Sequence, residues 1–317
     1  MICDGLNRRA FLKTAGATSL ATALTEVTSD AAKAAELYGK MPTRTLGRTG
    51  LKVSLIGLGG DHVGKPAESD SIAIIHRALE LGVNFFDNAD CYNNGQSEER
   101  MGRALEGRRQ KAIVMTKVDQ RDAKGSRETL ERSLRRLRTD YLDLWQFHAV
   151  PTIAQLDQIL GPGGAMETAE KARKEGKIRF IGLTGHFDPA VHLEAIKRYP
   201  FDTIQMPINV VDPHFKSFRK TVLDEAVKKN VGVIAMKALG FGRILSLKAA
   251  NAAEALRWTL SQPISVLVSG WDRLEVVDYN VYQAKTFQPM PEPEQQTLIA
   301  RTEPFKGIDI EYYKGRP

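Results

Sequence analysis

The segment that decides the fold is Val83-Asn-Phe-Phe-Asp-Asn-Ala-Asp-Cys-Tyr92, in which an apolar run breaks off into polar residues. The run predicts a buried strand, and its last residue, Asp87, is expected to emerge at a polar edge. Tyr92 follows on the loop beyond the strand. Because chemistry on parallel α/β scaffolds lies at the carboxyl ends of the strands, we expect the functional site beside this loop.

Two later apolar runs also lead into an ionisable side chain. Ala112–Val118 carries Lys117 near its end, and Tyr141–Phe147 is followed at once by His148. The carboxyl ends of neighbouring parallel strands lie on the same rim of a sheet or barrel. We therefore predict that these strands bring their ionisable residues together with Tyr92 in one site.

From Met41 onward, predicted strands alternate with predicted helices, after a short hairpin that begins at Thr43 and is expected to plug the base of the fold. The predicted strands are Leu51–Gly59, Val83–Asp87, Ala112–Val118, Tyr141–Phe147, Ile178–Leu183, Thr203–Pro207, Val231–Met236 and Ile264–Val268. The loop 149–165 is predicted without a helix, and a helix is predicted over 218–229. The tail 288–317 is expected to be an extended arm that folds back on the domain.

Strict alternation leaves two architectures, a doubly wound open sheet or a closed barrel. Eight strands at regular spacing favour the barrel. The first strand-to-helix turn, Gly57–Gly64, lacks the glycine spacing of a dinucleotide-binding open sheet, and no helix is expected to open there at once. The predicted fold is therefore an α/β, (β/α)8 TIM barrel with an N-terminal hairpin and a C-terminal tail, in a single domain over residues 41–317.

Composition excludes two other classes of protein. The 317 residues are 42% hydrophobic, which suffices for a large core, but they include no window of about 18 apolar residues that predicts an integral membrane span. The net charge of +7 is spread along the chain, and its densest run contains Arg132, Arg135, Arg136 and Arg138. On a predicted helix this run indicates a solvated face rather than a nucleic-acid interface.

The first 40 residues resemble an export leader of the twin-arginine type. Asn7–Lys13 contains Arg8-Arg9 followed by Phe and Leu, a weakly apolar stretch extends to Leu24, and Ala32-Lys33-Ala34 offers a cleavage site. The leader predicts a partner, the export machinery for twin-arginine substrates, and a periplasmic or cell-envelope location. An ordinary amphipathic helix on a cytoplasmic protein is the alternative.

The predicted cluster has a defined chemistry. A Tyr with a pKa near 10 is a weak acid, and a neighbouring Lys ammonium is expected to lower that pKa by stabilising the phenolate. Asp87 would keep Lys117 charged, and His148 could hydrogen-bond a carbonyl oxygen. Tyr92 is therefore predicted to act as the general acid in the reduction of an aldehyde or ketone.

From Thr43 to about Lys285 the chain resembles the aldo-keto reductase family. The segments that carry the resemblance are Arg44–Ser54, Phe85–Tyr92, Thr116-Lys117 and Leu144–His148. The resemblance places Asp87, Tyr92, Lys117 and His148 on the family's catalytic tetrad. It implies carbonyl reduction by a (β/α)8 barrel with NADP(H), NAD(H) being possible, on a small-molecule carbonyl substrate.

The resemblance also implies a set of cofactor-binding residues, several of them variants of the family pattern. Thr184 and Gln205 correspond to residues that hold the nicotinamide amide, Met236 replaces an aromatic residue that stacks on the ring, and Asp61 ends the first strand. The remaining implied contacts are Lys237, Leu239, Gly240, Gly242 and Arg243 for the pyrophosphate, Ser269, Gly270, Trp271 and Arg273 for the adenosine phosphate, and Asn280 for adenine. Gly270 and Val276 stand where many members bind the 2′-phosphate, so Arg273 is the candidate substitute.

Two other functions remain open from the sequence alone. A strand-end Lys117 in a barrel could form a Schiff base, as in an aldolase, although such a lysine does not require Asp87 and Tyr92 in this order. The altered segment around Thr184 and the substitution at Met236 also fit a barrel that binds nucleotide as a sensor or partner subunit without turnover. No segment of the sequence identifies the substrate.

Overall fold

The computed structural model describes residues 39–315, so the predicted leader lies outside the described residues. Eight parallel strands close into a barrel in the order β10-β3-β4-β5-β6-β7-β8-β9. The strands are β3 (Ile56–Gly59), β4 (Phe85–Asp87), β5 (Ile113–Val118), β6 (Leu142–Phe147), β7 (Ile178–Thr184), β8 (Thr203–Pro207), β9 (Gly232–Met236) and β10 (Val266–Gly270). The last strand pairs with the first, Leu267 facing Ile56, and this pairing confirms the barrel over the open sheet.

A hairpin of β1 (Thr43–Thr45) and β2 (Lys52–Ser54) closes the base of the barrel, as predicted. The side chains of Leu46 and Val53 are fully buried and pack with the apolar residues of the lumen. Gly232 allows this insertion, because a Cβ at that position would lie 2.8 Å from Leu46 Cδ1. The hairpin therefore seals the end of the barrel opposite the predicted site.

Helices follow the strands and cover the barrel. They span Gly60–Val63, Glu68–Glu80, Gln96–Ala104, Ala123–Arg136, Ile153–Leu160, Ala165–Lys174, Pro189–Arg198, Asp224–Lys228, Arg243–Ser246, Ala252–Leu260, Leu274–Lys285 and Glu292–Thr302. Side-chain caps fix several of these helix starts; Asp122 accepts a hydrogen bond from Gly125 N at 2.7 Å, and Asn251 forms a capping box with Glu254. Within residues 39–315, no helix has both the length and the apolar character that a membrane span requires.

Three local predictions are wrong, and a fourth is right with a change of helix type. A short helix, Gly60–Val63, opens directly after β3, where no helix was expected. The loop 149–165 contains the helix Ile153–Leu160, whose first turn is capped by Thr152 accepting from Gln155 N at 3.2 Å. The predicted helix over 218–229 is present, as a π-helical turn, Arg219–Leu223, that continues into the α-helix Asp224–Lys228. The tail does fold back, but it contains the helix Glu292–Thr302, started by the proline-rich segment 291–293, and is not extended.

The two-residue period of the strands places the polar cluster. Phe85 and Met115 point into the lumen of the barrel, where they pack with other apolar side chains. Asp87 and Lys117 lie two residues further along the same strands and therefore face the same interior, one layer nearer the rim. Both side chains are almost fully buried. The barrel thus holds a charged layer directly above an apolar one.

A buried ion cluster fastens the C-terminal end of the chain to the rim. Lys314 Nζ lies 2.8 Å from Asp212 Oδ1 and 2.7 Å from Glu311 Oε2, and it donates to Phe215 O at 2.8 Å. Glu311 also accepts from the Tyr313 hydroxyl at 2.9 Å. Lys314, Glu311 and Asp212 are fully buried, so their contacts with one another compensate for the hydration that each charge loses on folding.

We expect Lys314→Met to lower the free energy of unfolding by about 3–5 kcal/mol, because it leaves two buried carboxylates without their countercharge. Urea denaturation followed by circular dichroism measures the change. Lys306→Met is the matched control, since Lys306 pairs with Glu303 at 3.4 Å on the exposed surface of the same tail. Equal stability losses in the two variants would contradict a fastening role for the buried cluster.

Candidate active site

Lys117 is the centre of the polar cluster at the carboxyl ends of the strands. Its ammonium donates to Asp87 Oδ1, to Asn88 O at 2.6 Å and to the Tyr92 hydroxyl oxygen at 3.1 Å. An ammonium has three protons and no acceptor site, so these three contacts use all of its donors. The hydroxyl oxygen of Tyr92 is therefore an acceptor towards Lys117, and its own proton is free to be donated elsewhere.

His148 lies on the other side of Tyr92. The two rings meet edge to face, with centroids 5.7 Å apart and planes at 82°. Lys117 Nζ lies 4.5 Å from the centroid of the Tyr92 ring. The structure thus brings the four residues of the predicted tetrad together, as the three strand ends predicted.

Asp119 is a member of the cluster that the sequence analysis missed. Its Oδ1 lies 2.9 Å from His148 Nδ1. Arg121 holds the backbone of the same histidine by donating to His148 O at 2.6 Å. The available signal was the position of Asp119 two residues beyond Lys117, which continues the inward-facing period of β5 past its end.

The electrostatics of Tyr92 correct one expectation. Burial raises the pKa of the Tyr92 phenol well above its usual range, and the carboxylates of Asp87, Asp61 and Asp119 raise it further. The predicted lowering by Lys117 is therefore wrong for the resting site. Burial also lowers the pKa of His148 and of Lys117, in each case against an opposing carboxylate, Asp119 and Asp87 respectively. Tyr92 consequently holds its proton throughout the neutral pH range.

Gln205 supports the tetrad from the opposite wall of the barrel. Its amide donates to Asp87 Oδ2 at 3.0 Å and accepts from Gln146 Nε2 at 3.1 Å. Asp87 therefore has one oxygen on Lys117 and the other on Gln205. The structure gives Gln205 this second contact in addition to its predicted role with the nicotinamide amide, which stays a prediction.

The predicted nicotinamide residues lie at the ends of β7 and β9. Thr184 is buried, and its hydroxyl accepts from Ala149 N at 2.8 Å. His186, two residues on, contacts the tail through Nδ1, which is 3.4 Å from Tyr313 O. Burial lowers the pKa of His186 to about 3, so this ring is neutral. Met236 is half-buried at the end of its strand and leaves an apolar surface on that side of the mouth.

The predicted pyrophosphate loop follows Met236 and touches the tail. Lys237 Nζ lies 4.1 Å from the centroid of the Phe241 ring, and burial lowers the pKa of Lys237 to about 7. Arg243 donates from Nε to Asp309 O. Gly240 and Gly242 have φ angles of 54° and 85°, the left-handed region that favours glycine. Leu239, also in the predicted set, is half-buried against the core.

Asp61 follows β3, which is separated from β9 and this loop only by β10. It pairs with Lys65 at 2.5 Å, and its charge also acts on Lys237. His62, which the sequence analysis missed, packs on Gly270, where a Cβ would lie 2.1 Å from His62 Nδ1. A side chain at position 270 would therefore displace His62, which explains the glycine there.

The predicted adenosine segment is only partly available to a ligand. Trp271 is fully buried, so its side chain belongs to the core, while Ser269 is half-buried at the rim. The guanidinium of Arg273 pairs with the neighbouring Asp272 at 3.0 Å. Asn280 donates to Val276 O at 2.8 Å, and its buried Oδ1 has no hydrogen-bond partner within the described part of the chain. An unpartnered amide oxygen there fits the predicted contact with an adenine amino group.

The geometry argues against a Schiff-base role for Lys117. An amine attacks a carbonyl through its lone pair, which requires the unprotonated form. Here three acceptors surround the Lys117 nitrogen, and two of them, Asp87 and Asn88 O, accept only. These acceptors stabilise the ammonium against the burial that lowers its pKa, and they occupy the positions from which its nitrogen would attack, so the aldolase interpretation is not supported.

Comparisons with known proteins agree with this site. The model of the aldo/keto reductase family matches residues 55–262. The chain is 34% identical to L-galactose dehydrogenase of Arabidopsis thaliana over 219 residues, which cover 64% of this chain and 67% of the plant protein. It is 33% identical to the uncharacterized oxidoreductase YqkF of Bacillus subtilis over 184 residues, covering 54% and 58%.

A solved structure extends the agreement to the whole barrel. Aldo-keto reductase AKR11C1 of Bacillus halodurans, in its holo form, superposes with a TM-score of 0.72 at 27% identity, over 82% of this chain and 96% of that one. The fold, the tetrad and the matched family model therefore lead to the same conclusion. The chain belongs to the aldo/keto reductase family, and its activity class is NAD(P)H-dependent carbonyl reduction.

Proposed function

We propose that this protein reduces an aldehyde or ketone to an alcohol, with Tyr92 as the proton donor. The observation that carries the proposal is the arrangement around Lys117. Its three donors are engaged by Asp87, Asn88 O and the Tyr92 oxygen, which leaves the hydroxyl proton of Tyr92 available to a substrate oxygen. The raised pKa of Tyr92 keeps that proton in place until the substrate oxygen becomes basic.

Each residue of the site has a separate role in the proposed reaction. A dinucleotide, when bound, would supply hydride for the carbonyl carbon. Tyr92 gives its proton to the carbonyl oxygen, and the resulting phenolate lies 3.1 Å from the Lys117 ammonium, which stabilises it. Asp87 and Gln205 hold Lys117 in this position, and His148 lines the other side of the oxygen-binding site. Lys117 thus acts on the phenolate after transfer and leaves the resting phenol protonated.

The residues proposed to hold the dinucleotide form a continuous rim from β7 to β10. Thr184 and Met236 lie at the nicotinamide end, Lys237 and the Gly240–Gly242 turn provide charge and open backbone for the pyrophosphate, and the unpartnered Oδ1 of Asn280 lies at the adenine end. Arg273 is proposed to contact the 2′-phosphate of NADP(H). Since Asp272 already pairs with this guanidinium, the phosphate would compete with a neighbouring carboxylate.

The first prediction from this proposal concerns Tyr92. Tyr92→Phe removes only the hydroxyl, so reduction of an activated aromatic aldehyde should fall by roughly 10²–10⁴ because the positioned acid is lost. Binding of NADPH, measured by its change in fluorescence, should stay within a factor of two. Lys117→Met should also lower the rate, because the phenolate loses its countercharge.

Two results would contradict this assignment. One is Tyr92→Phe retaining nearly full activity, which would remove the phenol from the reaction. The other is trapping of a substrate carbon on Lys117 by borohydride, which would restore the Schiff-base interpretation. Tyr279→Phe, at a half-buried tyrosine on the outer helix Leu274–Lys285, is the matched control and should leave the rate unchanged.

The pKa of Lys237 predicts a pH dependence of cofactor binding. With a pKa of about 7 in the free protein, this lysine is charged below neutral pH and neutral above it. A phosphate binds the charged form, so above pH 7 binding must be accompanied by uptake of a proton. We expect the Kd for NADPH to rise with pH above about 7, by at most roughly tenfold per unit.

Lys237→Arg tests the cause, because a guanidinium stays charged across this range. Its Kd should be nearly independent of pH between about 7 and 8.5, and proton uptake, seen by calorimetry in buffers of different ionisation enthalpy, should disappear. A pH dependence that is the same in both proteins would assign the titration to another group.

We also propose that the chain is exported in its folded state by the twin-arginine route. The support is the sequence Arg8-Arg9-Ala10-Phe11-Leu12, followed by a weakly apolar stretch. Arg8→Lys combined with Arg9→Lys should leave the activity in the cytoplasmic fraction, whereas the unaltered chain should deliver it to the cell envelope. Identical distributions of the two forms would remove the proposal and favour a cytoplasmic enzyme.

A further inference from the structure

The arginine run on the helix Ala123–Arg136 does not form a solvated face throughout. Arg132 and Arg136 are four residues apart and lie on the same side of the helix, so they reach one target together. Arg132 Nε and Nη2 each lie 2.8 Å from an oxygen of Asp90, and Arg136 Nη1 lies 2.8 Å from Asp90 Oδ1. Arg135, between them, is exposed. Two guanidinium groups therefore hold the carboxylate that precedes Tyr92 by two residues.

Arg136 makes further contacts on both sides of Tyr92. It donates to the backbone carbonyl of Asp90 at 3.2 Å, before the tyrosine. After the tyrosine its guanidinium packs on Gly95, where a Cβ would lie 2.2 Å from Arg136 Cζ. Gly95 also has a φ of 87°, so both space and backbone conformation require glycine there. One side chain thus fixes the two ends of the short turn that carries the phenol.

This turn needs external support. Asn93 and Asn94, directly after Tyr92, have φ angles of 51° and 55°, a left-handed conformation that costs free energy for residues other than glycine, though less for asparagine than for most. Asn93 is held by a hydrogen bond from Nδ2 to Asp61 O at 2.8 Å. Strained backbone persists only where the surrounding contacts impose it, and the Asp90 and Gly95 contacts of Arg136 lie on either side of the strained pair.

The same guanidinium also reaches the strand that carries Lys117. Arg136 Nη1 lies 3.3 Å from Glu98 Oε2, and Glu98 is fully buried. The other oxygen of Glu98 accepts from the Thr116 hydroxyl at 2.6 Å. Thr116 is the residue next to Lys117. Arg136 is therefore connected to Lys117 through Glu98 and Thr116, and to Tyr92 through the turn that it holds; these two residues make the 3.1 Å contact.

We propose that Arg136 is a positioning residue for catalysis, which holds the phenol of Tyr92 against the ammonium of Lys117 from outside the barrel. The inference rests on the proposed function of Tyr92 as the proton donor. Arg136 touches neither substrate nor cofactor; it acts by fixing the turn through Asp90 and Gly95 and the strand through Glu98. Displacement of a reacting group by about 1 Å can cost up to about 10² in rate.

The test is a double-mutant cycle between Arg136 and Tyr92. Arg136→Met in the unaltered protein should lower kcat for an activated aromatic aldehyde by roughly tenfold to a hundredfold. In the Tyr92→Phe background the same substitution should change the residual kcat by less than about twofold, because there is no phenolic proton left to position. The Kd for NADPH should stay constant in all four proteins.

Control variants separate positioning from general damage. Arg135→Met removes an exposed guanidinium from the same helix and should leave kcat unchanged. Arg132→Met removes two contacts to Asp90 but none to Gly95 or Glu98, so its effect should be smaller than that of Arg136→Met. If Arg136→Met fails to fold, the cycle is run with Arg136→Lys, which keeps the positive charge but lacks the planar group of several donors.

Chemical rescue gives an independent readout. An open cleft of about 300 Å³, lined by Glu99, Arg103, Arg135, Arg136 and Arg138, leads from solvent to this guanidinium. Guanidinium ion added below denaturing concentration should therefore restore part of the kcat of Arg136→Ala, and should not restore Tyr92→Phe. A merely stabilising arginine would give rescue of the melting temperature without rescue of kcat.

The possible results separate the proposed function of Tyr92 from the positioning role of Arg136. Full activity in Tyr92→Phe would overturn the proposed function itself. Low activity in Tyr92→Phe with an equal loss from Arg136→Met in both backgrounds would leave the proposed function intact and overturn the positioning role. An unchanged kcat in Arg136→Met, or in Arg136→Lys where only that variant folds, would also overturn it.

Discussion

The buried ammonium of Lys117 is the constraint on which the site depends. Removing a charge from water costs several kcal/mol unless good acceptors replace the water. The three acceptors come from the end of β4, from the residue after it and from the loop beyond. The position at which β4 ends and its loop begins is therefore fixed by these contacts. Asp87 in turn needs Gln205 from the far wall, which links four strands through one charge. The closed barrel is what brings Gln205 to the second oxygen of Asp87, the main countercharge of this ammonium.

The carboxyl-terminal end of the barrel holds both lysine and aspartate side chains, whose charges shift one another's pKa values. Lys117 disfavours the charged form of Lys237, and Asp61 and Asp87 favour the charged form of both lysines. The same carboxylates raise the pKa of Tyr92. A phosphate arriving at Lys237 would add negative charge near this group and favour its protonated state. If the proposed cofactor contact at Lys237 is right, cofactor binding would be coupled to the protonation of the mouth through charges that are not in direct contact.

The sequence predicted the barrel and the tetrad because both follow from periodicity. Apolar runs ending in Asp87, Lys117 and His148 identify strand ends, and eight of them in alternation identify a barrel. The sign of the Tyr92 pKa shift could not be predicted, since burial and the charges of Asp61 and Asp119 depend on which loops cover the mouth. The short helix after β3 and the helix in the loop 149–165 were missed because brief helices depend on tertiary contacts more than on local pattern.

The arginine run shows why charge patterns are ambiguous before folding. An α-helix has 3.6 residues per turn, so the arginines of such a run cannot all lie on one face. The sequence does not say which of them face solvent. Here the pair four residues apart faces Asp90, while Arg135 and Arg138 remain exposed. Both arginines of the pair hold Asp90 before Tyr92, and Arg136 also packs on Gly95 after it. In a barrel the outer helices are often regarded as packing alone, but a helix whose arginines hold the turn that carries Tyr92 would also contribute to the geometry of the proposed reaction.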